Sequence, residues 1–192
     1  MAGLPHFNSS KAAVQLYEPV YLNQFEVIIQ PPTAVSNPAG NSGRTLLVEN
    51  VLSVTGLAVD KNPAIAAQRY KFSTRRYASA VIDDTGVKIR IDFEANLDDN
   101  NSNYVFKTMR QWSDLIYNPL TGATGIKANY AGGTYILISM FNKQGDVFRR
   151  VKLVNVFPTD PIKALDLDYT NGTTPYKISM SFRADYFEDV FN

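Results

Sequence analysis

The sequence predicts a mostly antiparallel β domain with one packed α-helix and long loops, and three stretches carry that prediction. Thr134 to Phe157 sets two apolar-rich runs on either side of a short polar turn containing Gly145, the pattern of a β-hairpin. Val87 to Glu94 alternates strictly, with Val87, Ile89, Ile91 and Phe93 against Lys88, Arg90, Asp92 and Glu94, which marks an antiparallel strand with one buried and one wet face. Tyr104 to Tyr117 places Val105, Met109, Trp112 and Ile116 at spacings of four, three and four, a single apolar helix stripe.

The hairpin organises the rest. Lys143, Gln144, Gly145 and Asp146 suit a short loop in which Gly takes a positive φ. Its first strand is apolar on both faces: Tyr135, Leu137 and Phe141 on one, Ile136, Ile138 and Met140 on the other. A strand of this kind is covered twice, by the core and by a helix or another subunit. The helix needs similar cover: burying its four stripe residues contributes about 1.5 to 3 kcal/mol each before entropy. Asn101 or Ser102 caps its start, with Asp98 and Asp99 near the positive end of the dipole, and Pro119 stops it.

Taken in order, residues 1–20 read as a flexible N-terminal arm. Asn23 to Gln30 is a first strand with Phe25, Val27 and Ile29 on one face, closed by Pro31 and Pro32. Pro32 to Arg44 is a surface loop, and Thr45 to Thr55 a second strand, bent and ending at Gly56. Ala58 to Gly86 is a 29-residue excursion, too long for a simple hairpin loop, in which Arg69, Lys71, Arg75 and Arg76 stand beside Tyr70, Phe72 and Tyr77. Asn118 to Gly133 reads as a loop. Ala164 to Tyr169 is a short strand with Leu165, Leu167 and Tyr169 inward, and Asn171-Gly172 marks a bend. The final strand alternates for twelve residues, Tyr176, Ile178, Met180, Phe182, Ala184 and Tyr186 against Lys177, Ser179, Ser181, Arg183 and Asp185.

Composition narrows function. At 192 residues the chain fits one domain, 1–192. It has no Cys and a single His, His6, so thiolate chemistry, disulfides, His-based acid/base catalysis and multi-His metal sites lack raw material. With 19 basic and 18 acidic residues no overall field favours nucleic acid or an anionic membrane. No run approaches the roughly 18 to 20 apolar residues that span a bilayer, so a soluble, cytoplasmically made protein is expected.

Motifs for chemistry are few. Asp84-Thr85-Gly86 matches the nucleophilic triplet of aspartic proteases, but a single copy requires a homodimer, and turn chemistry explains the same residues. Asp98, Asp99, Asn100, Asn101 and Asn103 lack the glycine and distal glutamate of an EF-hand. Gly122 to Lys127 is too short for a phosphate-binding P-loop. No catalytic residue, metal ligand or cofactor is expected.

The order of Phe25-Glu26-Val27, Val54-Thr55-Gly56-Leu57, the strand Val87 to Glu94, the helix with Trp112, Val156-Phe157-Pro158 and Met180 to Phe187 resembles the tail tube protein family of contractile-tailed bacteriophages, related to the inner-tube proteins of type VI secretion and extracellular contractile injection systems. The resemblance covers roughly Leu22 to Phe187. It implies an antiparallel β-barrel or sandwich with a flanking helix and long loops, and subunits joined in hexameric rings stacked into a tube. The implied partners are tail sheath, baseplate and terminator proteins, and DNA passing through the lumen without sequence-specific binding. A virion tail assembled in the host cytoplasm follows, or a conduit for protein effectors in the injection systems. The doubly apolar strand, Tyr135, Ile136, Leu137, Ile138, Met140 and Phe141, then supplies an inter-subunit sheet. Lys88, Arg90, Asp92, Glu94, Lys177, Ser179, Ser181, Arg183 and Asp185, with Asp166 and Asp168, become lumen candidates. Residues 58–86 become an arm reaching the adjacent ring through Arg69, Tyr70, Lys71, Phe72, Arg75, Arg76 and Tyr77; a hairpin folded back on its own barrel is the alternative.

Overall fold

A computed structural model describes residues 21, 23–35, 50–57, 63–69, 71, 73–82, 87–95, 104–160, 163–164, 172 and 175–191. The alternating segments fall into two antiparallel sheets. In the first, β1 (Phe25–Gln30), β8 (Tyr135–Phe141), β9 (Val147–Val154) and β13 (Tyr186–Phe191) lie in that order. In the second the order is β10 (Phe157–Pro158), β12 (Lys177–Ala184), β5 (Val87–Glu94) and β2 (Val51–Thr55), with β11 (Lys163–Ala164) also on β12. Among the described residues the sheets do not close into a barrel; they form a sandwich.

Period-2 alternation aims one face of each sheet at a shared core. Register sets Val27 beside Ile138 and Ile138 beside Val151, then Ile29 beside Ile136 and Ile136 beside Leu153, all buried. From the second sheet Ile89, Ile91 and Phe93 meet Phe182, Met180 and Ile178 across the β5–β12 ladder. Helix α1 (Tyr104–Ile116) adds Val105, Met109 and Trp112 of its stripe to the same cluster, and Tyr104 with them, whereas the fourth stripe residue, Ile116, is half-buried outside it; Trp112 lies 5.7 Å from the Phe182 ring. The β8–β9 turn is as expected: Gly145 has φ 90°, and Asn142 Oδ1 accepts from the backbone N–H groups of Gln144 and Asp146.

Two readings change. The twelve-residue final strand is two strands: β12 pairs with β5 in one sheet, β13 with β9 in the other, and the chain crosses between sheets at Asp185. Tyr186 is accordingly 49% exposed instead of sharing the Phe182 face. The stretch 118–133 is not all loop. β6 (Tyr117–Asn118) pairs with β7 (Ala123–Thr124), and a one-turn helix α2 (Lys127–Tyr130) follows. Of the expected second strand, Val51–Thr55 is a strand, with a register shift between Val51 and Ser53; residues 45–49 lie outside the described ones. The excursion holds β3 (Pro63–Arg69) and β4 (Thr74–Ile82), a hairpin whose strands pair with each other in a separate two-stranded sheet. The N-terminal arm, Asp98 to Asn103, Leu165 to Asn171 and Asp84-Thr85-Gly86 lie outside the described residues.

Candidate assembly surfaces

The solvent side of the second sheet gathers most of the polar residues that the alternation singles out. Register places Lys88 opposite Arg183, Arg90 opposite Ser181, Asp92 opposite Ser179 and Glu94 opposite Lys177. Asp92 is the hub: Ser179 Oγ donates to Oδ1, Ser53 Oγ donates to Oδ2 at 2.8 Å, and Arg90 Nε donates to Oδ1 at 3.0 Å. Arg90 Nη2 also donates to Ser179 at 2.8 Å, so one guanidinium spans two strands. Burial draws the Asp92 carboxyl upward, but the Ser179, Ser53 and Arg90 bonds and the Arg90 charge outweigh it and hold the group below its ordinary value of 3.8. Lys88 pairs with Asp160 at 3.4 Å. The Arg90–Asp92 and Lys88–Asp160 pairs thus set charges of both signs side by side on this face. Ser53 belongs to this network although the sequence reading passed over it; its spacing on β2 becomes informative only once β2 is known to pair with β5.

Asp185 sits apart from that face. At the crossing between sheets it accepts from Lys127 Nζ and, at 3.0 Å, from Asn155 Nδ2. Asn155 holds φ 54°, a left-handed conformation that asparagine tolerates better than most residues. The Lys127 bond, aided by the Asn155 bond and the Lys127 charge, lowers the Asp185 carboxyl against the opposing pull of burial. Asp166 and Asp168 lie outside the described residues.

On the first sheet, β8 is an interior strand, paired with β1 on one side and β9 on the other. Its backbone is satisfied within the chain. Ile136 and Ile138 enter the core, and Met140 packs against it. Tyr135 and Leu137 are half-buried on the outer face, between Gln30 and Val154 in one row and Ile28 and Lys152 in the next. Lys152 lies over the Tyr135 ring at 5.7 Å, an ammonium facing the negative ring face. Phe141 is half-buried beyond a register shift. Arg149 binds Asp189 with two bonds, 3.0 and 2.7 Å, which raise its pKa and pin β9 to β13.

In the excursion, Arg69 and Lys71 are exposed, while Arg75, Arg76 and Tyr77 occupy β4 opposite Gln68, Ala67 and Ala66. Tyr70 and Phe72 lie outside the described residues. A two-stranded sheet is marginal by itself in water, so a hairpin of this kind gains from a partner surface.

Two apolar features went unread in the sequence. Tyr117, Leu120 and Ile126, around the β6–β7 turn, are 53, 94 and 66% exposed. An apolar groove of about 180 Å³ opens where the Met140 end of β8 and the start of β1 meet the end of β2. Among the described residues no three His, Cys, Asp or Glu side chains converge as metal ligands, and no helix is long and apolar enough to cross a membrane.

No protein-family model and no curated protein sequence matches the chain. Solved structures do. A chain of the anti-feeding prophage cap, the AFP tube-terminating cap, aligns at TM-score 0.59 and 15% identity over 100% of both chains. A chain of the PVC sheath–tube complex of an extracellular contractile injection system, in its extended state, aligns at TM-score 0.60 and 14% identity over 96% of this chain and 99% of that one. A third match is to the PVC sheath/tube terminator, at TM-score 0.57 and 14% identity over 91% of this chain and 99% of the other. At such identities the likeness is one of architecture, and the chain has the fold found in these contractile injection assemblies.

Proposed function

We propose that this chain is a structural tube subunit, one whose copies close into hexameric rings that stack into a hollow conduit, with sheath, baseplate and terminator proteins as partners. The observation that supports this most is the likeness of fold, end to end in both chains, to a chain of a tube-terminating cap and, nearly so, to one of a sheath–tube complex. The role is mechanical, not enzymatic. In this reading the polar face of the second sheet, with Lys88, Arg90, Asp92, Glu94, Lys177, Ser179 and Arg183, lines the lumen over a buried Ser181, and its charges of both signs limit multivalent adhesion to a passing polyanion. Tyr135 and Leu137 contact the neighbouring subunit through side chains, backed by Ile136 and Ile138. The β3–β4 hairpin reaches the adjacent ring.

Two cargoes fit such a conduit. DNA ejected from a phage tail is one. Protein effectors delivered by an injection system are the other, and the fold shared with chains of a prophage cap and of an extracellular contractile injection system suits both equally. Capsid and packaging genes beside this one support the first, effector genes without a capsid the second. The decisive experiment on assembly is negative-stain microscopy with sedimentation of the purified chain. Rings or tubes are expected, and a monomer across a wide concentration range refutes the proposal.

A further inference from the structure

The geometry points to a knob-and-groove contact between copies: Leu120, at the tip of the β6–β7 turn, seats in the apolar groove at the Met140 end of β8 on the next copy. The inference rests on the tube reading and names two surfaces that join within the assembly.

A single exposed leucine is unremarkable on a protein surface. Leu120 is not single: with Tyr117 and Ile126 it makes three of the six large exposed apolar residues among those described, all within ten positions. The turn that carries it is also fixed. Gly122 N–H donates to Asn118 O at 2.8 Å, Leu120 N–H to Asn118 Oδ1 at 2.9 Å, and Gly125 N–H to Ile116 O at 2.9 Å. Ordering this turn is part of folding, so contact adds no backbone entropy cost there and only the leucine rotamer is left to fix.

The groove is lined by Tyr21, Phe25, Val54, Leu57, Ile138 and Met140, with Gln24 at its side. An apolar cavity of about 150 Å³ accommodates benzene, so one of about 180 Å³ has room for a leucine side chain. Gln24 Oε1 is buried without a hydrogen-bond partner among the described residues. The occupant therefore combines an aliphatic body with a nearby donor. Thr121 follows Leu120; its Oγ1 accepts from Ala123 N–H at 3.4 Å, which leaves the hydroxyl proton to donate.

Leu120 does not fill its own groove, as its 94% exposure shows. The turn joins α2, which ends beside Thr134 at the start of β8, whereas the groove lies at the other end of that seven-residue strand, roughly 20 Å away. Knob and groove are thus different surfaces of one chain. Such a head-to-tail contact makes rings or filaments, not closed two-fold dimers.

The absence of cysteine from the 192 residues allows a direct test in the whole of this chain. Leu120→Cys and Val54→Cys chains are made separately, mixed, assembled and mildly oxidised. A cross-linked dimer from the mixture, absent from either chain alone, supports the contact. In parallel Leu120→Asp, at a site that folding leaves in water, is expected to weaken self-association roughly 10- to 100-fold with unchanged thermal unfolding. Rings that form with no mixed cross-link overturn the knob and leave the tube reading standing, whether the groove is then filled by residues 1–20 or by nothing. Failure of the unsubstituted chain to assemble at all overturns the tube reading, and the knob with it.

Discussion

Replacing Trp112 with phenylalanine tests whether one side chain holds the 117–133 segment to the sandwich. Trp112 is fully buried, its ring is tilted 52° against Phe182, and its Nε1–H donates to the Tyr130 carbonyl at 2.8 Å. Tyr130 in turn stands edge-on to Phe157 at 5.5 Å, so that carbonyl belongs to the contact between α2 and β10. Phenylalanine keeps the apolar ring and removes the donor. An orphaned buried carbonyl costs about 1 to 3 kcal/mol. The smaller ring adds about 1 kcal/mol if some 40 Å³ stays unfilled at ~24 cal/mol per Å³. A total near 3 kcal/mol, divided by a urea slope of about 3 kcal/mol/M for a chain of this size, moves the unfolding midpoint down by roughly 1 M. Circular dichroism is the readout, because the substitution removes the only tryptophan. Amide exchange at Lys127 to Tyr130 is expected to accelerate more than elsewhere. A midpoint shift under about 0.3 M refutes the argument about the hydrogen bond, and acceleration spread evenly over the chain refutes the local tie.

Other outcomes follow from equally specific contacts. A Cβ at Gly125 falls 1.9 Å from the Leu115 carbonyl oxygen, so Gly125→Ala forces the end of α1 to move and is expected to lower stability by about 1 to 3 kcal/mol. Gly122→Ala, with φ +68° but open space around it, is expected to cost less in the same thermal melt; the reverse order contradicts the packing account. Asp92 has a folded pKa below its ordinary 3.8, so its contribution is fully present above that value and is lost as pH falls through the lowered one. Asp92→Asn should therefore lower stability at neutral pH and flatten the acid limb of urea midpoint against pH; coincident limbs contradict this. Replacing 61–82 with a short Gly/Ser linker should leave folding and ring formation intact and stop rings from stacking, as microscopy will show. Normal tubes refute the inter-ring arm, and an unfolded monomer favours a hairpin that supports its own chain.

Much of the sandwich was legible because its strands obey a local rule. Val87 to Glu94 and Phe25 to Ile29 each bury one face, so period 2 is written in the residues themselves. Trp112 and Met109 announce the helix in the same way. The crossing at Asp185 was invisible for a physical reason: a polar corner residue continues the alternation that runs from Lys177 to Arg183, so a strand that changes sheets looks like one that does not. The turn at Asn118 to Thr124 was hidden because its two-residue ladders are too short for any period. The Asp92 network was half legible. Arg90, Asp92 and Ser179 stood out as one polar face, but Ser53 joins them only through the β2–β5 register, which is set by long-range packing.

The crossing at Asp185 also has a mechanical consequence. β12 and β13 are successive lengths of one covalent chain, each hydrogen-bonded into a different layer. A pull on the outer edge of the first sheet therefore reaches the centre of the second through one residue, without relying on side-chain friction between layers. Lys127 and Asn155 hold that residue from two directions, and the paired Arg149 and Asp189 clamp the strand leading from it. Sliding one layer along the other would have to break these ties together. In the proposed tube, a wall built from such units would resist shear within each brick, and a conduit under axial load would deform first between subunits.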